Sequence, residues 1–585
     1  MPKIILSKFF DYFGRIQERL LVYMLQNLGQ RSLKNLQRDA IKAAQVQQNV
    51  LMDILKLQKN TEYGRRFNFA VIKTVANFQS VHPLSTYENY RYIIDNIASQ
   101  GNFAQLVSEP IMIFQETSGT SGKFKLIPTT KRLFSNFQKA FQITRAIGEP
   151  YYLNQKAYKT EYRGLALFSI RPLSFTASGV PQGSLTAGGL TQSKFIENLI
   201  RLRYTSPPCI FLISNYRSAC YCHLLFGLLR SDITYITANF ALKVLEAMQT
   251  LERLWPRLVN DIEYGRIDES LELDTSIREK LQSLLKPNPA LANALRTEFE
   301  KGFNGILTRI WSQLSYIECI TTGSMHIYKE SLRFYAGDIP FYSPGYGATE
   351  SFIGVNLEPE RDPPSYVITP RVAFFEFIPV SEVDKDMPNT INLTSLSIGE
   401  SYEIVVTTVA GLYRYRLGDV VKCVGYYHKS PIVEFLYRQG SLLSLYSERV
   451  TENTIFVALT EAIKLLGNDC KLVDYTTRLE ISSRPWRYVI YAEISKTFED
   501  LLNLKLCQDK IEQVICDLNE AYMEIRNENR IGPIEIKLVQ KDTFEMLKNI
   551  IIFKGTSDSQ FKMSRLVKDS NQVEFLETRS YAFTK

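Results

Sequence analysis

An α/β body whose sheets are covered by helices, followed by a smaller α+β domain on a hinge, is the fold class this sequence predicts. Strand-like apolar runs alternate with amphipathic helical stretches through most of the chain, which is the pattern of helices laid over sheets. A compact helix–strand–strand–helix–strand order closes the sequence. With 585 residues, the chain exceeds what one small core organises and divides into at least two domains. Its 45% hydrophobic and 22% charged content is that of an ordinary globular protein.

Taken in order, the first thirty residues interrupt every apolar stretch with Lys, Asp, Arg or Glu, so neither a signal peptide nor a stable membrane span is expected. An amphipathic helix packed on the body fits better, with peripheral membrane contact through Phe9, Phe10, Tyr12 and Phe13 as the alternative. Residues 15–60 and 76–100 carry helical periodicity around a turn-like "KNTEYGRRFNF". "IMIF" reads as a short buried strand, "KRLFSNFQKAFQITRAIG" as a helix ending at Gly148, and "YRGLALFSI" as the next strand. Ser351 to Val424 is strand-rich, clearest in "VAFFEFIPV", "SYEIVVTTV" and "LYRYRLGDVVKCVGY".

From Thr451 a helix with Ile455, Leu459, Ile463 and Leu466 on one face precedes the strands "CKLVDYTTRLEI" and "WRYVIYAEIS". A helix bearing Ile511, Val514, Leu518 and Tyr522 and a strand "IEIKLVQ" follow. The turn residues Gln439-Gly440-Ser441 break the pattern between and suit a hinge at a domain boundary, 1–437 large and 438–585 small and mobile, with an ordinary turn inside one domain as the alternative.

Charge and cysteine usage exclude several classes. The net charge of +8 is the balance of 69 basic and 61 acidic residues without a long basic run, so nucleic acid is not an expected partner. Eight cysteines scattered among apolar neighbours suit reduced, packed thiols and a cytoplasmic location. Cys220-Tyr-Cys222 beside His223 lacks the paired CxxC spacing of a zinc site.

Three stretches carry chemistry. In "QETSGTSGKFKLIPTT", hydroxyl residues and glycines suit a backbone wrapped closely around an anion such as phosphate, although a plain surface loop has the same composition. It is not a Walker A loop, because Thr117 and Phe124 stand where that motif needs Gly and Ser or Thr. "SPGYGATESFIG" places Tyr346, Thr349 and Glu350 together: an aromatic face for a purine, a hydroxyl for a phosphate and a carboxylate for Mg²⁺. "GLYRYRLGDVV" ends a strand in Gly418-Asp419, a turn that leaves a carboxylate exposed to accept from ribose hydroxyls. Singly, each also reads as core or turn.

Their order along the chain is that of adenylate-forming enzymes, and the sequence more closely resembles the GH3 family of acyl-acid amido synthetases. "NTEYG", "ETSGTSGKFKLIPTT", "YCHLLFGLL", "YIECITTGSM", "YGATESFIGVNL", "FFEFIPV", "VTTVAGLYRYRLGDVV" and "GTSDSQFKMSR" carry the resemblance over nearly the whole chain. It implies a large adenylate-forming domain, ATP and Mg²⁺ as cofactors, and site residues by position. Ser118, Thr120 and Ser121 match the phosphate loop. Thr322 and Gly323 match the segment lining the adenine and acyl pocket. Tyr346, Thr349 and Glu350 match the second nucleotide motif, with Glu350 on Mg²⁺. Asp419 matches the ribose-binding aspartate, Arg438 an arginine ahead of the hinge, and Lys562 the mobile catalytic lysine. YGATE departs from the YASSE usual in the plant enzymes, and "SIRPLSFTASGVPQGSLTAGGL" departs from the family's acyl-pocket region.

The implied activity is an ATP-dependent, AMP-forming ligase that joins a small carboxylic acid to an amino acid or other amine, acting as a monomer. An adenylating enzyme with a thiol acceptor, on coenzyme A or a carrier protein, and a non-catalytic nucleotide-binding scaffold are the alternatives.

Overall fold

The computed structural model describes residues 23–117, 125–153, 163–170, 172–185, 194–439, 450–467, 469–482, 484–496, 501–553 and 561–581, with 443, 445, 448 and 558. Its internal contacts form two compact units, one reaching Phe435 and the other running from Leu436 to the C-terminus. The mixed α/β architecture expected from the sequence is present. Among the described residues no helix is long and apolar enough to cross a membrane.

A parallel sheet in the larger unit joins Arg163–Ala166, Ile233–Phe240, Tyr316–Ile320 and Phe341–Tyr342 in that spatial order. Side chains alternate across its faces. Ile236, Ile317 and Cys319 pack in the core formed with the helices Tyr216–Leu228 and Ala241–Tyr264. On the opposite face Tyr235, Tyr316 and Tyr342 pack with Tyr152 of the helix Lys131–Tyr152. That helix begins where Thr130 accepts the Leu133 N–H, and it does not stop at Gly148 as expected but continues to Tyr152. Gly148 serves close packing instead, since a Cβ there would lie 2.5 Å from Tyr342 Cε1.

An eight-stranded sheet carries the strand-rich region, in the order Ile391–Asn392, Phe374–Pro379, Ser401–Thr407, Tyr415–Tyr427, Ser430–Arg438, Tyr366–Ile368, Phe352–Val355, Gly345–Gly347. A smaller sheet pairs Ile111–Thr117 antiparallel with Lys125–Thr130 and parallel with Pro181–Gly183. The N-terminal helices pack on the large core that the eight-stranded sheet anchors. The expected turn at 59–69 holds a short helix, Glu62–Arg66, because Thr61 caps Gly64 N–H. The expected helix over 76–100 is two, Val75–Val81 and Tyr87–Gln100, broken at His82-Pro83, where proline forbids continuation.

Arg414 ties these layers together. Its buried guanidinium pairs with buried Glu376 at 3.0 Å and donates to the Gln79 and His82 carbonyls at 2.9 and 2.7 Å. Its backbone holds φ at +44°, and its carbonyl accepts from Ser85 N–H at 2.9 Å. Tyr90 reinforces the same turn, its hydroxyl accepting from Tyr413 N–H at 2.9 Å and donating to the Tyr413 carbonyl at 2.9 Å.

The smaller unit has a three-stranded sheet, with Arg487–Ile494 in the middle, antiparallel to Leu472–Glu480 and parallel to Glu535–Leu538. Thr451 caps the helix Glu452–Ile463, whose Ile455, Leu459 and Ile463 are buried as the periodicity required. The expected single helix through 511–522 is instead Leu501–Leu518 and Glu520–Asn527, because the Asn519 side chain takes the Tyr522 N–H and starts a new helix. Leu518 is therefore exposed. Two later helices, Thr543–Phe553 and Ser570–Thr578, were not anticipated. All eight cysteines are free, and all but Cys516 are buried.

Two buried histidines are held neutral by burial, which outweighs the pull of their carbonyl hydrogen bonds toward the charged form. His82 sits between the Pro83 carbonyl at Nδ1 (2.7 Å) and Tyr63 Oη at Nε2 (2.9 Å); His223 sits between Ser206 Oγ at Nδ1 (2.6 Å) and the Phe168 carbonyl at Nε2 (2.7 Å). Each carbonyl requires an N–H, leaving the other nitrogen to accept from a hydroxyl. His223 thus has a structural place, and no cluster of three or more His, Cys, Asp or Glu able to hold a metal occurs among the described residues. Burial lowers both rings to about 4 from the ordinary 6.5. Depressed pKa values leave this stabilisation complete above pH 6.5 and remove it as pH falls toward 4, by about 3 kcal/mol for each ring. NMR titration of the folded protein should find both rings neutral down to about pH 5, with the urea midpoint falling between pH 7 and 4.

Candidate active site

The larger unit brings four separated motif segments into one hydrogen-bonded group. Tyr346, on the strand Gly345–Gly347, donates its hydroxyl to Asp419 Oδ2 at 2.8 Å. Glu350, just past the same strand, accepts from Tyr415 Oη at 3.2 Å. Between them the chain turns tightly, with Ala348 N–H on the Ser351 carbonyl at 2.9 Å. Tyr346, Glu350, Tyr415 and Asp419 are all buried.

Asp419 corrects the sequence expectation. It lies within the strand Tyr415–Tyr427, not at a strand end, and it is buried, not exposed. Glu403 pairs with Val420 while Val405 pairs with Arg416, so a two-residue step on one strand faces a four-residue step on the other. Gly418, at φ +77°, supplies the left-handed residue that this bulge requires. The Gly-Asp turn signal was a bulge that aims a carboxylate inward.

Thr322 and Gly323 follow the parallel strand Tyr316–Ile320, at the carboxyl end where open α/β sheets place ligands. The Thr322 hydroxyl is hydrogen-bonded to the Tyr366 phenol, which also meets Ser343 Oγ at 2.9 Å. Burial raises the Tyr366 phenol above its ordinary pKa, keeping it neutral. Tyr366 and Phe435 flank Tyr346, each with ring centroids 5.7 Å away. Gly323 adopts φ +60°, and a Cβ there would approach Phe435 Cε1 to 3.1 Å.

Ser118, Thr120 and Ser121 lie outside the described residues. The strands on either side of their segment are paired, with Thr117 opposite Lys125. Gln115 in the first of these strands donates to Thr129 Oγ1 at 2.6 Å and to the Thr349 carbonyl at 3.3 Å. It links the base of the hydroxyl-rich segment to Thr349, a role not assigned to it from the sequence. Its signal is a buried amide directly after the apolar run 111–114 of that strand.

Arg145 and Glu318 were also missed. Glu318 interrupts the apolar "YIECI" strand on the tyrosine-bearing face, and accepts from Thr237 Oγ1 at 3.2 Å. Arg145, on the helix across that face, donates to Tyr204 Oη at 3.4 Å. Burial pushes the Glu318 carboxyl up, and the positive charge of Arg145 acts against that rise.

Arg438 and Lys562 belong to the smaller unit. Arg438 ends the strand Ser430–Arg438 with its side chain exposed. Lys562 is exposed between buried Phe561 and Met563. His326, exposed at the start of the helix Ile327–Ala336, joins none of the hydrogen bonds that unite the motif segments.

Comparison with known families decides the kinship. The GH3 family N-terminal domain matches residues 32–341, its central domain 366–438 and its C-terminal domain 454–571. The chain belongs to the GH3 family. A probable indole-3-acetic acid-amido synthetase of Arabidopsis thaliana is 32% identical, covering 94% of this chain and 93% of its own length. A jasmonoyl-L-amino acid synthetase of Nicotiana attenuata is 31% identical over 90% of this chain and 92% of its own. Among solved structures, the GH3.15 acyl acid amido synthetase aligns with a TM-score of 0.83 at 31% identity, over 96% of this chain and 97% of that one. A 2-hydroxyisobutyryl-CoA ligase, at 12% identity, TM-score 0.50 and coverage of 91% and 90%, shares the adenylate-forming fold.

The Tyr346–Asp419 hydrogen bond in this GH3 protein is open to direct measurement. Tyr346→Phe removes the donor and leaves a buried carboxylate oxygen short of a partner. Urea denaturation should show a loss of about 1–3 kcal/mol with an unchanged m-value; an unaltered midpoint would contradict the assignment.

Proposed function

We propose that this GH3 protein is an ATP-dependent, AMP-forming acyl-acid amido synthetase. The observation that carries the reading is the convergence of Thr322, Tyr346, Thr349, Glu350 and Asp419 through Gln115, Tyr366 and Tyr415. Relatives matched over more than nine-tenths of their own length are named a probable indole-3-acetic acid-amido synthetase and a jasmonoyl-L-amino acid synthetase.

Each residue type has a task. Asp419, oriented by Tyr346, accepts from the ribose hydroxyls of ATP, while the Tyr346 ring and the Thr322-Gly323 turn offer surfaces to adenine. Ser118, Thr120 and Ser121 cradle the β- and γ-phosphates. Glu350 would hold Mg²⁺, a hard cation that takes oxygen ligands and is often bound by one or two carboxylates plus substrate phosphates. The chemistry fits: Glu350 supplies carboxylate oxygens, oriented by the Tyr415 hydroxyl. When bound, the ion neutralises phosphate charge. Lys562 brings an ammonium group to the same phosphates, and Arg438 precedes the hinge that lets it approach and withdraw.

The acid's carboxylate oxygen attacks the α-phosphorus, the bond to the bridging oxygen breaks, and pyrophosphate leaves. Charge neutralisation is essential because an anion attacks a polyanion. An amine then attacks the acyl carbon, the bond to the AMP oxygen breaks, and an amide forms with loss of a proton. For the acid, the face bearing Thr237, Glu318 and Arg145 below the Thr322 turn offers charged groups, which favours a substrate with polar substituents on its tail. The buried free thiols support a reducing, cytoplasmic setting. A monomer supplies every residue invoked.

Pyrophosphate exchange screened with indole-3-acetate, jasmonate, 2,4-DB and aromatic, fatty and hydroxy acids tests the first half-reaction. Product mass with pooled amino acids or coenzyme A identifies the acceptor. An acid-dependent exchange and an amide are expected; exchange with none of the acids, or a thioester alone, overturns the reading. Lys562→Ala and Glu350→Ala should each slow exchange by roughly 100- to 1,000-fold, by analogy with loss of a transition-state donor. Arg145→Ala should raise KM for the acid by about tenfold or more with KM for ATP unchanged.

A further inference from the structure

The segment carrying Lys562 runs beside the strand Leu472–Glu480 of the smaller unit and joins it through one parallel bridge. Phe561, Met563 and Arg565 are buried while Lys562 and Ser564 are exposed, a period-two alternation over 561–565 that ends at buried Leu566 and Val567. Thr476 Oγ1 donates to the Ser564 carbonyl at 2.6 Å, Thr477 N–H to the Arg565 carbonyl at 2.9 Å, and Val567 N–H to the Thr477 carbonyl at 2.8 Å. Thr477 and Leu566 form a parallel bridge. These bonds fix the register, and register decides which side chains face outward.

One inward side chain locks it. Arg565 pairs with the Asp474 carboxylate, donates to the Tyr475 carbonyl, and lies over the Tyr475 ring at 4.6 Å from the centroid. Asp474 in turn accepts from Tyr475 N–H at 2.8 Å. Ion pair, carbonyl and aromatic face all come from consecutive residues of one strand, so a shift of the segment by one residue would remove the guanidinium from all three.

We propose that Arg565, anchored by Asp474, is a positioning residue for adenylation: it sets the register that presents the Lys562 ammonium outward. The inference rests on the reading of Lys562 as the lysine that serves the phosphates. Arg565 itself touches no substrate. Displacement of a catalytic group by about 1 Å costs on the order of 100-fold in rate, so the pair matters through geometry.

The test uses the full-length protein and the acid that supports the fastest pyrophosphate exchange. Asp474→Asn and Arg565→Met should lower kcat for exchange by about 10- to 100-fold with KM for ATP unchanged, and Arg565→Lys should restore part of it. Aminolysis of preformed acyl-adenylate should be unaffected. Hydrogen exchange should show faster deuteration confined to 561–567 and its pairing strand. Full exchange activity in Asp474→Asn and Arg565→Met, or equal losses in both half-reactions together with a lower unfolding midpoint, overturns the proposal. If Lys562→Ala retains full activity, the lysine has no such role and the positioning falls with it. If Lys562→Ala is inactive while both pair variants are active, only the positioning fails.

Discussion

The ion pair between Arg414 and Glu376 is the interaction on which the candidate site depends. Both groups are buried, so their attraction must offset a desolvation cost of several kcal/mol for each ion. The offset comes from completeness. Arg414 also donates to two carbonyls at the end of an N-terminal helix, and its own carbonyl is taken by Ser85. A non-glycine residue at φ +44° persists because these bonds over-determine it, against a strain of about 1–3 kcal/mol. The next residue, Tyr415, begins the strand that holds Glu350 by a hydrogen bond and carries Asp419 four positions on. Helix, turn, strand and carboxylates therefore share one anchor.

Downstream of that anchor, neutral phenols do most of the positioning. Tyr346 serves Asp419, Tyr415 serves Glu350 and Tyr366 serves Thr322. A buried phenol donates without adding charge, so it orients a carboxylate while leaving its charge for a ligand or cation. An arginine in the same place would neutralise it. The parallel sheet contributes the remaining geometry, since its strand ends deliver the Thr322-Gly323 turn beside Phe435.

Much of this was legible in the sequence, where local chemistry and tertiary role agree. The alternation of strands and helices, the Thr-capped helix at 451 and the free buried thiols follow from periodicity and composition. The motif order and the family resemblance single out Tyr346, Glu350 and Asp419, and the structure places them in two hydrogen bonds, Tyr346 to Asp419 and Tyr415 to Glu350. What was misread had a signal with two meanings. Gly418-Asp419 looks like a turn, and only the register of the neighbouring strand reveals a bulge. Gly148 looks like a helix stop, and only Tyr342, nearly two hundred residues away, explains it. Asn519 looks like a surface residue within a helix, yet it caps the next one. Gln115, Arg145 and Glu318 could have been flagged as polar residues within apolar periodicity, but the partners that give them meaning lie on distant elements.

The burial of the thiols bears on how conformational change in this enzyme can be watched. Burial pushes the Cys222 and Cys507 thiols up to about 12 and 11, so neither forms appreciable thiolate at neutral pH. Cys209, Cys220, Cys319, Cys423 and Cys470 are buried too, and Cys516 alone is partly open. It lies in the helix Leu501–Leu518 of the smaller unit, away from Lys562 in sequence. A maleimide fluorophore added at mildly alkaline pH thus has one favoured attachment point in the natural sequence, on the unit that carries the lysine. Its emission anisotropy would follow that unit through a catalytic cycle without any engineered cysteine.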